Sequence, residues 1–141
     1  MDVVVRPDAG AAIDLAARLI ATRLRDKPDL VLGLATGRTM ERVYARLVEA
    51  GPSFRRARTF NLDEYVGLAP EDPNSYRSYM QAHLFDRVDV EPANTHLPDA
   101  GAADLKAAAR RYEALIGEAG GLDLQLLGIG ETGHIGFNEP L

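Results

Sequence analysis

The run Leu30-Val31-Leu32-Gly33-Leu34 is apolar at every position and passes without a break into Ala35-Thr36-Gly37-Arg38-Thr39. Behind that turn Val43, Leu47 and Val48 recur at helical spacing until Gly51-Pro52 closes the segment. A strand with no polar side is buried on both faces, which is the place of a central strand in a parallel sheet. A strand, a tight glycine turn and an amphipathic helix in that order begin a β–α–β unit. The chain is thereby constrained to an α/β fold.

The same order recurs on either side. Val3–Val5 is a short β-branched run ended by Pro7 and reads as a first strand. From Asp8 to Asp26, Ala12, Leu15, Ala16, Leu19, Ile20 and Leu24 follow a helical period with arginines between them. Arg58-Thr59-Phe60-Asn61-Leu62 predicts a further strand that delivers Asp63-Glu64-Tyr65 at its end. Pro70 and Pro73 mark a loop, and Asn74 is expected to cap a helix reaching about Phe85. Thr95–Leu97 predicts a brief strand, the Ala-rich residues 102–119 a helix closed by Gly120-Gly121, and Leu122–Leu127 the next strand. Strands and helices alternating in this way predict a Rossmann-like three-layer sandwich. Its sheet is mostly parallel, with right-handed crossovers and helices on both faces. At 141 residues the chain reads as a single domain, residues 1–141.

Composition removes several classes of function. Sixteen Lys+Arg against 21 Asp+Glu give a net charge of -5, with no basic excess for nucleic acid or an anionic membrane. Without cysteine there is neither a disulfide framework nor a thiolate metal site, and a cytoplasmic setting is expected. No apolar run approaches the roughly 18 residues of a membrane span.

In a doubly wound sheet the binding crevice forms at the carboxyl ends of the strands, and three such loops carry chemistry. In the first, a turn with Gly37 at its apex can aim backbone N–H groups at one point, ahead of a helix N-terminus. Thr36 and Thr39 add hydroxyls and Arg38 adds charge, a combination suited to phosphate. The plain alternative is an ordinary turn with Thr39 as helix cap. In the second, the adjacent carboxylates of Asp63 and Glu64 repel unless one is exposed, paired or protonated. A carboxylate near apolar walls can serve as a general base, and a solvated turn is the alternative. The third loop runs from Gly128 to Pro140. Gly128, Gly130 and Gly133 spell G-x-G-x-x-G, but Gly136 and Pro140 make poor helix continuation and the chain ends before the acidic residue expected about 20 positions on, so the dinucleotide reading is rejected. His134 is read as an acid/base group, since imidazole titrates near neutrality, with Glu139 close enough in sequence to orient it. His83 and His96 lie apart from this loop, and no metal site is expected.

Taken together, Gly33-Leu34-Ala35-Thr36-Gly37-x-Thr39, Phe60-Asn61-Leu62-Asp63-Glu64-Tyr65-Val66-Gly67-Leu68 with Ser75-Tyr76, and Gly133-His134-Ile135-Gly136-Phe137-Asn138-Glu139-Pro140 closely resemble the glucosamine-6-phosphate deaminase family. The resemblance runs the length of the chain. It implies conversion of glucosamine 6-phosphate and water to fructose 6-phosphate and ammonia, in amino-sugar catabolism, with no metal or organic cofactor. By the same resemblance the phosphate falls on Thr36, Gly37, Arg38 and Thr39, and Glu64 belongs to the substrate site. Asp63 moves a proton between C2 and C1, and His134 opens the pyranose ring with support from Glu139. The implied partner is a small amino-sugar phosphate, not nucleic acid or membrane, and a homo-oligomer is left open.

The chain departs from the family pattern at several points. Thr132 stands two residues before the histidine, where many members carry an aspartate of the orienting triad. It can still hydrogen-bond an imidazole nitrogen but offers no charge, so slower ring opening is expected. Arg38 takes the place of a small residue and Met40 that of a proline. Family members are nearly twice as long, so residues 1–141 are expected to form an N-terminal portion, with the sheet incomplete at the C-terminus. Two further functions are weighed against the deaminase: a non-catalytic sugar-phosphate-binding module, and a 6-phosphogluconolactonase-like hydrolase of the same fold.

Overall fold

The computed structural model describes residues 1–138, so Glu139 lies outside the described residues. Helix α1 spans Ala9–Asp26, strand β1 Val31–Leu34, helix α2 Arg38–Ala50 and strand β2 Arg58–Asn61. Helix α3 follows at Tyr76–His83, then strand β3 at Thr95–His96, helix α4 at Leu105–Glu118 and strand β4 at Leu124–Gln125. The sheet order is β3-β2-β1-β4, and every neighbouring pair is parallel. The α/β fold expected from the alternation of elements is the one formed. No helix among the described residues is long and apolar enough to cross a membrane.

Helices α1, α3 and α4 start where a side chain can satisfy the first backbone N–H groups. Asp8 accepts from the Ala11 amide at 2.8 Å, and Asp104 accepts from Ala107 at 2.9 Å. For α3 the cap is Ser75 rather than the expected Asn74, with Ser75 Oγ accepting from the Ser78 amide. Asn74 is instead tied to Asp72 two residues earlier. The α3 helix stops at His83, and Phe85–Arg87 continues as a single 3₁₀ turn.

The core lies mainly on one face of the sheet. Leu32 and Leu34 of β1 point into it and meet Ile13, Ala17, Ile20 and Leu24 of α1. Met40, Val43, Tyr44 and Leu47 of α2 join them, as do Met80 and Leu84 at the end of α3. The alternate residues Val31 and Phe60 are buried on the opposite face. There Tyr112 of α4 packs edge-on to Phe60, with ring centroids 5.9 Å apart, and its hydroxyl donates to the carbonyls of Asn61 and His96. Asp123 ties β4 to the sheet by accepting from Val31 N at 2.8 Å and from Lys27 Nζ at 2.6 Å.

Two strand expectations are corrected. Val3–Val5 forms no strand and is exposed at 63–86%. Both sides of β1 are occupied by β2 and β4, and a three-residue run without a neighbour has nothing to pair its backbone groups. The strand expected over Leu122–Leu127 contracts to Leu124–Gln125, because an outermost strand has a partner on one side only. The ladder still reaches past these short strands. Leu62 N donates to Leu34 O at 3.1 Å, and Leu126 N to Gly33 O at 2.9 Å.

Leu32 is fully buried between α1 and α2. Leu32→Ala is expected to cost about 2–5 kcal/mol of unfolding free energy by urea denaturation, the range for a core cavity that cannot collapse.

Candidate active site

The register of the sheet sets the level of the site. Leu34 pairs with Asn61 and Gly33 with Gln125, so β1, β2 and β4 release their following loops side by side. Between those loops lies a cavity of about 260 Å³, smaller than the roughly 300–1,000 Å³ usual for small-molecule sites. Thr36, Gly37, Arg38 and Thr39 line one wall, Leu62 and Asp63 the floor, and Gly130, His134 and Phe137 the facing wall. All three loops singled out in the sequence therefore meet at one place.

The first loop owes its shape to Gly37, whose φ of 124° is closed to side-chain-bearing residues. Gly37, not Thr39, occupies the cap position of α2, and it has no side chain to donate to. Among the described residues the backbone N–H groups of Thr36, Gly37, Arg38 and Thr39 meet no protein acceptor. Four donors at the positive end of a helix favour an anion.

The two adjacent carboxylates of the second loop are put to different uses. Asp63 turns to the cavity, where partial burial and then the nearby Glu64 push its pKa above the ordinary carboxylate value. Glu64, expected at the substrate, does not line this cavity. Its Oε1 accepts from the Tyr65 and Tyr76 amides at 2.8 and 2.9 Å, and its Oε2 from the Arg77 amide at 2.9 Å. The unpaired N–H groups and positive end of α3 draw this carboxylate away from the cavity. With Ser75 on the Ser78 amide, the first turn of α3 is completely capped.

Capping by Glu64 fixes Tyr76, a cavity residue that neither charge nor spacing in the sequence singled out for a role. Its hydroxyl donates to the Tyr65 hydroxyl at 3.4 Å, and burial pushes its pKa up to about 12. Tyr65, Tyr76 and Phe137 stack as a group, with Tyr65 4.8 Å from Tyr76 and 4.9 Å from Phe137. This cluster holds the third loop against the second. Its only trace in the sequence was the presence of aromatic residues within both motifs.

In the third loop Thr132 Oγ1 stands 2.6 Å from His134 Nδ1, the contact expected of a threonine in place of an acid. The imidazole lies directly over Gly130. A β-carbon there would sit 2.2 Å from Cε1 of the ring, so no larger residue fits without moving it. On the other side Gly136 brings its backbone against Asp63, where a β-carbon would stand 3.0 Å from Oδ2. The base expected in loop two and the imidazole of loop three are thus packed against neighbouring backbone of the same loop.

The model of the glucosamine-6-phosphate isomerases/6-phosphogluconolactonase family matches residues 8–136. A glucosamine-6-phosphate deaminase of Geobacillus sp. (strain WCH70) is 55% identical, over 89% of this chain and 51% of that protein. One from Rhodopirellula baltica is 54% identical, over 99% of the chain and 57% of the relative. The chain spans about half the length of the curated relatives it matches. Among solved structures, a monomeric glucosamine-6-phosphate deaminase superposes with a TM-score of 0.95 at 46% identity, covering 99% of this chain and 60% of that one. A 6-phosphogluconolactonase from Thermotoga maritima superposes with a TM-score of 0.75 at 27% identity, covering 89% of this chain and 59% of that one. With a matching family model, relatives at this identity and a shared fold, the chain belongs to the glucosamine-6-phosphate isomerase/6-phosphogluconolactonase family.

Proposed function

We propose that the protein converts glucosamine 6-phosphate and water to fructose 6-phosphate and ammonia in the cytoplasm, with residues 1–141 as one sugar-phosphate isomerase-like domain. The observation that carries this reading is the convergence of the 36–39 turn, Asp63 and His134, which Thr132 contacts from outside the lining, on one cavity. The greater likeness to proteins named deaminases than to the lactonase favours deamination over lactone hydrolysis.

The phosphate binds the N–H groups and hydroxyls of Thr36–Thr39, with Arg38 adding charge. His134 takes the proton of the anomeric hydroxyl and returns one to the ring oxygen, which opens the pyranose. Thr132 holds the imidazole through Nδ1, and Glu139 is assigned to support it. Asp63 then removes the proton from C2 of the open aldose and delivers a proton to C1. The nitrogen at C2 becomes an imine, and water displaces it as ammonia. Glu64 takes a positioning role, holding α3 and Tyr76.

The deciding assay is ammonia release from glucosamine 6-phosphate. Heat stabilisation by that sugar without ammonia would favour a binding module, and hydrolysis of 6-phosphogluconolactone a lactonase.

Three variants test the roles. Asp63→Asn is expected to lower hydrogen exchange at C2 by at least about 100-fold, the scale of a lost general base, with sugar-phosphate binding retained. Folding raises the Asp63 pKa, so its stability contribution is complete below the ordinary value of 3.8 and is lost as pH rises through the elevated one. Asp63→Asn should therefore melt higher than the parent at pH 7 and alike below about pH 3.5; equal melting at both would remove the burial argument. His134→Gln should slow turnover of the cyclic sugar more than that of an open-chain analogue, and equal slowing would count against ring opening. Gly130→Ala should displace the imidazole and lower kcat with little change in phosphate affinity, as seen by steady-state kinetics and phosphate titration.

A further inference from the structure

Two tyrosines outside the cavity grip the first loop from behind. Tyr44 of α2 is fully buried, and its hydroxyl donates to the carbonyl of Ala35. Tyr79 of α3 is half-buried, and its hydroxyl donates to the carbonyl of Gly37 at 2.8 Å. Neither lines the cavity. In a planar trans peptide the C=O and the following N–H point in opposite directions. A carbonyl held toward Tyr44 therefore turns Thr36 N–H away from the core, and one held toward Tyr79 turns Arg38 N–H away from α3. These are two of the four N–H groups that lack a protein acceptor among the described residues.

We infer that Tyr44 and Tyr79 are positioning residues that set the anion affinity of the 36–39 turn, Tyr44 by fixing the Ala35–Thr36 peptide plane and Tyr79 by polarising the Gly37–Arg38 peptide. The inference rests on the proposed phosphate site in that turn. The need for a clamp follows from the loop's own chemistry. A rotated peptide would present its carbonyl oxygen to the anion and repel it.

The two hydroxyls act differently. Among the described residues Tyr44 is the sole donor to the Ala35 carbonyl, so it alone sets that plane. The Gly37 carbonyl already accepts from Met40 N at 2.9 Å and Glu41 N at 3.2 Å as the start of α2. Tyr79 adds a third donor, which polarises the peptide and makes Arg38 N–H a stronger donor on its far side. Burial raises both phenols well above the usual tyrosine value, so both remain protonated donors at physiological pH.

The test is Tyr79→Phe in the intact protein, with inorganic phosphate as probe by calorimetry and glucosamine 6-phosphate kinetics alongside. The ring stays and only the hydroxyl leaves. Expected are a roughly five- to tenfold rise in the phosphate Kd and a matching rise in KM, with kcat at saturation within about twofold of the parent. Tyr44→Phe should raise the phosphate Kd at least as much in its folded fraction; if that variant does not fold, the Tyr79→Phe result decides alone. An unchanged phosphate Kd in Tyr79→Phe overturns the inference, even with a lowered Tm, because a merely structural hydroxyl would do that. A parent protein that binds phosphate in a Tyr79-dependent way but releases no ammonia leaves the clamp standing and removes the deaminase reading. A parent protein that binds no phosphate removes the clamp as well.

Discussion

In a parallel sheet every strand ends at the same edge, and here that edge is set by β1. Both of its faces are buried and both of its sides are paired, so it cannot slip in register without exposing Leu32 and Leu34. Leu34 opposite Asn61 and Gly33 opposite Gln125 bring three loops to one level. The cavity is a consequence of that alignment: a two-residue shift of β2 would carry Asp63 about 7 Å along the strand axis.

The two acidic neighbours show how the backbone separates groups that would otherwise repel. Glu64 goes to the amides of α3, where a negative charge stabilises the helix start. Asp63 goes to the cavity, where partial burial and its neighbour raise its pKa. One carboxylate stabilises structure and the other is made a stronger base. The helix that Glu64 caps also carries Tyr76 to the cavity and Tyr79 to the back of the first loop, so an acidic residue outside the site supports two of its walls.

The first and third loops reach their shape by opposite means. The 36–39 turn is held from outside, with the carbonyls of Ala35 and Gly37 accepting from tyrosine hydroxyls of two helices. The 130–137 loop is organised from within, by Thr132 against the imidazole and by His134 lying on Gly130. The aromatic group of Tyr65, Tyr76 and Phe137 is what binds the third loop to the rest.

The alternation of an all-apolar run, a glycine turn and amphipathic segments determined the α/β class and the positions of α1, α2, β1 and β2, because period and punctuation are local properties of the chain. It also placed Thr36–Thr39, Asp63 and His134 at strand ends, which is where they lie. Val3–Val5 reads as a strand by composition but forms none, since a strand exists only with a neighbour to pair it. Nor did the sequence show that Glu64 would cap α3 while Asp63 faces the cavity, or that Tyr44, Tyr76 and Tyr79 would lie against the first loop and the cavity. Those contacts depend on which amide or carbonyl a distant element brings within about 3 Å, and only the packed helices and the register of the sheet decide that.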